Sequence, residues 1–284
     1  MAVLLGLLVA IGYGSGDFLG GRASRDAPTL GVLFVAQCVA LVGACVVAVA
    51  VGADVGRRDI VFGAVAGVAS AGGLGLLYRG LATGRMGVVA PVTAVVAAVI
   101  PIAWGLATGE RPSALTLAGV LVAVAAGGVV AQEPDSADEP PSGDARATLL
   151  MAVGAGTLFG LSFVCFAETA DRSGYWPVLV ARVAAVAVIG VAVVAVTRHR
   201  RGSIIPRDHP RPLAAGAGAL DIISTVLLVA AVRQGLVVVV APLAALAPAF
   251  TVIWAWALLK EPVTRHQVAG IGLSLLGLTL IAAG

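Results

Sequence analysis

The sequence predicts an all-α polytopic membrane protein, with ten transmembrane helices in two inverted five-helix repeats around a central cavity. Three observations predict it. The 284 residues are 60% hydrophobic and 12% charged, with a mean hydropathy of +1.04, which no soluble globular chain sustains. Ten apolar runs follow one another, each long enough to cross the hydrocarbon core at about 1.5 Å per residue. A stretch around the fourth run recurs 151 positions later, around the ninth.

The runs cover 2–20, 30–52, 60–82, 86–108, 114–132, 148–167, 177–196, 212–232, 236–258 and 264–283. The first lacks the basic flank of a signal peptide and exceeds the usual apolar core of one, so it reads as a span. Connections as short as Thr83 to Arg85 and Arg233 to Gly235 force their neighbours into antiparallel hairpins. Glycines one turn apart (Gly12, Gly16 and Gly20; Gly63 and Gly67; Gly156 and Gly160) predict close helix packing. In lipid no hydrophobic drive joins helices, so close backbone approach must do so. Trp104, Trp254 and Trp256 near run ends read as interfacial anchors. Between the fifth and sixth runs, Glu133 to Arg146 carries five acids and three prolines. It is an acidic, proline-rich linker over 133–147, separating a first five-helix unit, 1–132, from a second, 148–284. An odd number of spans in each half means opposite insertion, the geometry of an inverted repeat.

The repeat is clearest between Met86–Pro112 and Val237–Val263. The 151-residue shift lays Ala90-Pro91 on Ala241-Pro242, Glu110 on Glu261, and Ala118-Gly119 on Ala269-Gly270. Shorter echoes join Tyr13-Gly14 to Phe159-Gly160, and Phe34 to Gln37 with Leu179 to Arg182. Pro91, Pro101, Pro242 and Pro248 each remove a backbone donor and free a carbonyl. At membrane depth such breaks persist where protein or a wet cavity satisfies the carbonyl. They are therefore expected as helix breaks, serving as hinges, pocket lining or plain kinks. Interrupted spans at matching places in two halves point to a transporter's binding site.

Only Asp17, Arg182 and Asp221 are charged inside apolar runs, the other charges clustering at the run ends. Asp221 lies about nine residues into the eighth run, where an acid costs about 2.5–3.5 kcal/mol on insertion scales. It must face a cavity or a partner, as a substrate or proton carboxylate or in a structural pair with Arg182. The 151-residue register places Ser70 opposite Asp221, and the shorter echo makes Gln37 the repeat mate of Arg182. Arg182 and Gln37 read as the walls of a polar vestibule, or as snorkelling and helix-bonding groups. Asp17 pairs with Arg22, caps its loop or faces the cavity, with Tyr13 and Phe159 as neighbouring repeat mates. Glu110 and Glu261 sit at hairpin turns, where the dipole of the following helix favours an acid.

Other chemistries are excluded. No Walker or dinucleotide motif is present, and all three histidines fall in loops, which leaves no cofactor, metal or catalytic set to name. Cys38, Cys45 and Cys165 read as small buried hydrophobes. The net charge of +3 comes mostly from loop arginines and argues membrane orientation, not nucleic acid.

The doubled five-span layout, the closing GERP (Gly109 to Pro112) with its partner KEP (Lys260 to Pro262), and the Ala-Pro heading the fourth and ninth spans together resemble the EamA branch of the drug/metabolite transporter superfamily. Gly16 to Arg25 is similar to a loop of some bacterial members. The resemblance covers nearly the whole chain. It implies a bacterial plasma-membrane carrier with both termini in the cytoplasm and a cavity lined by the first four helices of each half. The charges point the other way: that topology puts five arginines inside, and the opposite one puts twelve basic residues there. Both orientations stand at this stage. The expected activity is secondary transport of a small metabolite, in the export direction, by alternating access and with protons as a candidate coupling ion at Asp221. The alternatives are a membrane-embedded lipid-modifying enzyme and a non-transporting assembly or sensor protein. The partners are a small-molecule substrate and the lipid bilayer.

Overall fold

A computed structural model describes residues 1–83, 86–130, 145–199, 204–206, 208–259 and 265–284. Among these every regular element is helical: α1 Ala2–Asp26, α2 Thr29–Val51, α3 Arg57–Thr83, α4 Met86–Ala107, α5 Ala114–Val130, α6 Ala145–Ala167, α7 Trp176–His199, α8 Pro210–Gln234, α9 Val237–Ala244, α10 Ala247–Leu259 and α11 Arg265–Ala283. The protein is thus all-α and polytopic. Seven helical stretches are long and apolar enough to cross a membrane, and three shorter apolar ones lie in α4, α5 and α11. Residues 133–144 of the expected linker and Glu261 fall outside the described residues, whereas 145–147 already belong to the first turn of α6.

Local chemistry sets the helix ends. Pro28 disfavours helix in the residue before it and opens α2. Gly52, at φ 62, terminates α2 in the left-handed region that an L side chain avoids. Pro210 heads α8, where its missing N–H costs nothing.

The two proline-bearing spans, both expected to be broken, differ from each other. The ninth span breaks at Ala245–Leu246, where Leu246 N donates to Leu243 O at 3.1 Å and Ala249 N to Leu246 O at 3.0 Å. Those i to i+3 bonds tighten the turn, and Pro248 then falls in the first turn of α10. Pro242 lies inside α9. In the first half, by contrast, α4 runs unbroken through both Pro91 and Pro101. Proline spacing accounts for the difference. Pro242 and Pro248 stand six positions apart, so two weakened turns adjoin, whereas Pro91 and Pro101 stand ten apart. Packing of α4 by α3, α5, α6 and α9 holds the longer helix together.

The principal packed pairs map onto themselves when the two halves are exchanged. α1 lies on α8 as α6 lies on α3; α3 lies on α7 as α8 lies on α2; α4 lies on α6 as α9 and α10 lie on α1. The pairs α2–α7, α4–α9 and α5–α11 are their own mates, and α11 packs mainly on α5, away from the centre. Glycine contacts repeat the relation at atomic scale. A methyl placed on Gly67 would stand 2.1 Å from Ala181 O, and one on Gly218 would stand 2.1 Å from Ala36 O. Gly67 and Gly218 are 151 positions apart. The interior is accordingly rich in alanine, including Ala40, Ala44, Ala66 and Ala181. Val42, Val46 and Val49 of α2 and Val183, Val191 and Val194 of α7 point outward and exposed, as a lipid-facing surface requires.

One end of the bundle, called here the Met1 end, is dense with polar links. Asp59 accepts from Gly56 N at 3.0 Å and from Ala170 N at 2.8 Å. Arg233 donates to Ala170 O at 3.1 Å and stacks on Tyr175. Glu168 accepts from Arg58 and, at 2.9 Å, from Trp104 Nε1. Glu110 binds the first amides of α9 instead of serving the helix that follows it, because α4 delivers its turn against α9.

Candidate functional site

Midway along the bundle, side chains from both halves converge on Arg182. Its helix, α7, lies against α2 and α3, and α2 and α8 carry its partners. Arg182 is buried, at 6% exposed. Nη1 stands 2.7 Å from Asp221 Oδ2 and donates to Gln37 Oε1 at 3.0 Å. Nη2 donates to the Thr225 hydroxyl. Gln37 Nε2 returns a bond to the same Asp221 oxygen at 3.3 Å. Thr225, one turn beyond Asp221, donates to its carbonyl at 2.9 Å and lies 3.1 Å from the Tyr13 hydroxyl. Arg182 Nε is buried and finds no partner among the described residues.

Four residues singled out from sequence, Tyr13, Gln37, Arg182 and Asp221, therefore form one network, and Thr225 joins it. A buried ion pair holds only when its remaining hydrogen-bond capacity is met, and here three helices meet most of it. The pair is lopsided. Arg182 is enclosed, while the Asp221 side chain is 27% exposed and takes both side-chain contacts on one oxygen. The open side of the carboxylate is where a ligand or a proton can approach.

Asp17 lies on α1 within electrostatic range of Asp221. Arg22 does not hold it, because that arginine pairs with Asp26 at 2.7 Å. Asp17 is exposed, yet it shares a helix face with Tyr13 and buried Ala10, nearly opposite the exposed Leu4 and Leu8. Its exposure therefore opens on the interior and not on lipid.

Ser70 and Phe159 stand apart from this network. Ser70 Oγ lies 2.8 Å from Ser162 Oγ between α3 and α6. The Phe159 ring packs beside Gly73. They occupy, in the first-half α3 and the second-half α6, the places that Asp221 and Tyr13 hold in the network, but without charge. Pro101 is buried in α4 and Pro242 in α9; the side chains of Pro91 and Pro248 are not among those described.

Thr225 escaped the sequence reading. A hydroxyl in an apolar helix ordinarily bonds the carbonyl four residues back, as this one also does, so nothing marked it as a partner of Arg182.

Comparison with known proteins agrees with this architecture. A solved crystal structure superposes with a TM-score of 0.77 at 16% identity, covering 99% of this chain and 96% of that one, a likeness of fold. No curated protein matches the chain. The model of the EamA-like transporter family matches residues 146–283, the stretch that supplies Arg182, Asp221 and Thr225. Over residues 146–283 the chain is thus similar to the EamA-like transporter family.

Proposed function

We propose that the protein is a secondary transporter that carries a small molecule across a bacterial plasma membrane by alternating access. In this reading all ten apolar segments span, α9 and α10 forming one interrupted span. The halves 1–132 and 148–284 insert in opposite senses, and the direction is export. The observation that carries it is the Arg182–Asp221 pair, buried halfway along the bundle and bound by residues of both halves. Charges at such depth are expensive and mark substrate or ion pathways. The exchange-symmetric packing supports two units that rock against each other around this site.

Substrate polar groups meet Asp221, Asp17, Gln37 and Tyr13 on the open side of the network, and Asp221 carries the proton when transport is proton-linked. The test is uptake into proteoliposomes across a panel of amino acids, amphipathic amines and sugars, with and without a pH gradient. Asp221→Asn should insert normally and lose proton-driven flux. Wild-type flux in that variant removes Asp221 from the mechanism, and no flux for any compound in the wild type counts against transport itself.

A further inference from the structure

The Met1 end is shut by contacts between the two halves, and one of them is built to let go. Glu110 offers both carboxylate oxygens to the start of α9: Oε1 accepts from Val237 N at 2.7 Å and Oε2 from Val238 N at 2.9 Å. These amides are among the donors that a helix cannot satisfy by itself, and a carboxylate there also meets the positive end of the dipole. Gly105 leaves room for the fit. A methyl on it would lie 2.6 Å from both Glu110 Oε2 and Val238 Cγ2.

The helix so held is suited to move. α9 has eight residues, all buried, and a broken turn at Ala245–Leu246 separates it from α10. The interior face of α1 records which end is closed. Gly6 and Ala10 are buried toward the Met1 end, whereas Asp17 and Gly21, beyond the network on the same face, are exposed.

Resting on the transport reading, we infer that Glu110 is a releasable clasp on the Met1-end gate. It seats α9 in the state seen here and lets go when access passes to that end. The bonding suits release. Carboxylate and amides both regain water when they part, so the exchange of hydrogen bonds is nearly balanced, unlike the opening of an apolar seam.

Cys165 supplies a native reporter. It is 2% exposed in α6 and shares a packed cluster with Val240 and Ala244 of α9. The full chain, with Cys38 and Cys45 replaced by alanine, is reconstituted in nanodiscs and labelled with a water-soluble maleimide. Glu110→Ala should label roughly tenfold faster than the parent, and Glu110→Gln, which keeps its volume and one acceptor, should fall between. A second protein with Glu110→Cys and Val238→Cys, bridged by a short bis-methanethiosulfonate, should block flux in proteoliposomes until dithiothreitol restores it. Parent-like labelling in a folded Glu110→Ala overturns the clasp, as does full flux through the bridged protein. Faster labelling with no flux in any protein supports the clasp and sinks the transport reading.

Discussion

Gly67→Ala tests one of the close backbone approaches in the fold. The added methyl would sit 2.1 Å from Ala181 O and 2.7 Å from both Ala181 C and Ala181 Cα, and all three atoms are backbone. An ordinary carbon–oxygen contact is about 3.3 Å or more, so α3 and α7 must separate by about 1 Å. Overpacking of this kind costs about 1–3 kcal/mol, and unyielding backbone places it at the upper end. Replacing a helical glycine by alanine returns about 0.5–1 kcal/mol, leaving a net loss of about 2 kcal/mol. The control lies on the same helix: a methyl on exposed Gly75 meets nothing within 4 Å, so Gly75→Ala should only stabilise. In thermal unfolding of the detergent-solubilised protein, Gly67→Ala should melt about 4–8 °C below wild type and Gly75→Ala slightly above it. Because Ala181 adjoins Arg182, the same separation should disturb the central network and lower flux. Gly218→Ala should match Gly67→Ala, since its methyl meets Ala36 O at the same 2.1 Å. A Gly67→Ala protein that melts with or above Gly75→Ala would refute the packing argument.

Two further substitutions probe the polar groups. Thr225→Val keeps the shape but strands the buried Arg182 Nη2 and removes the Tyr13 partner. It should cost about 1–3 kcal/mol in denaturant unfolding, and an unchanged midpoint would show that the hydroxyl is dispensable. Asp59→Ala deletes the acceptor of two backbone amides, at Gly56 and Ala170. A loss of about 2 kcal/mol and faster proteolysis of the 168–175 loop are expected, and an unaltered cleavage rate would argue that Arg233 alone holds that loop.

What could be read from the chain follows from the range of each signal. Hydropathy acts locally, and it located the helices. The 151-residue register anticipated the equivalence of Gly67 and Gly218, because duplicated units keep their spacing. The shorter echo of Phe34 to Gln37 in Leu179 to Arg182 set Gln37 opposite Arg182, and those side chains bond. An intramembrane acid needs a counter-charge, and Arg182 was the one basic residue lying away from the ends of the apolar runs, so their pairing was anticipated as one of two readings. Contacts that depend on tertiary approach were hidden. Glu110 finds its amides 127 and 128 positions away, on a helix whose proximity no local pattern encodes. The contrast between a broken ninth span and a continuous α4 turned on proline spacing within otherwise matching copies, a smaller signal than the prolines themselves.

The lopsided distribution of charge between the two halves has a consequence for biogenesis. Were the units chemically alike, a molecule threaded into the bilayer upside down would present the same centre to either compartment, and the cell could ignore which way it went in. Here Gln37, Ser70 and Phe159 stand where the mirrored positions are Arg182, Asp221 and Tyr13, so a flipped molecule offers its single acid–base couple to the wrong side of the axis. On the proposed inverted topology, insertion must be polarised, and the unequal arginine content of the two sets of loops would let a translocon enforce it.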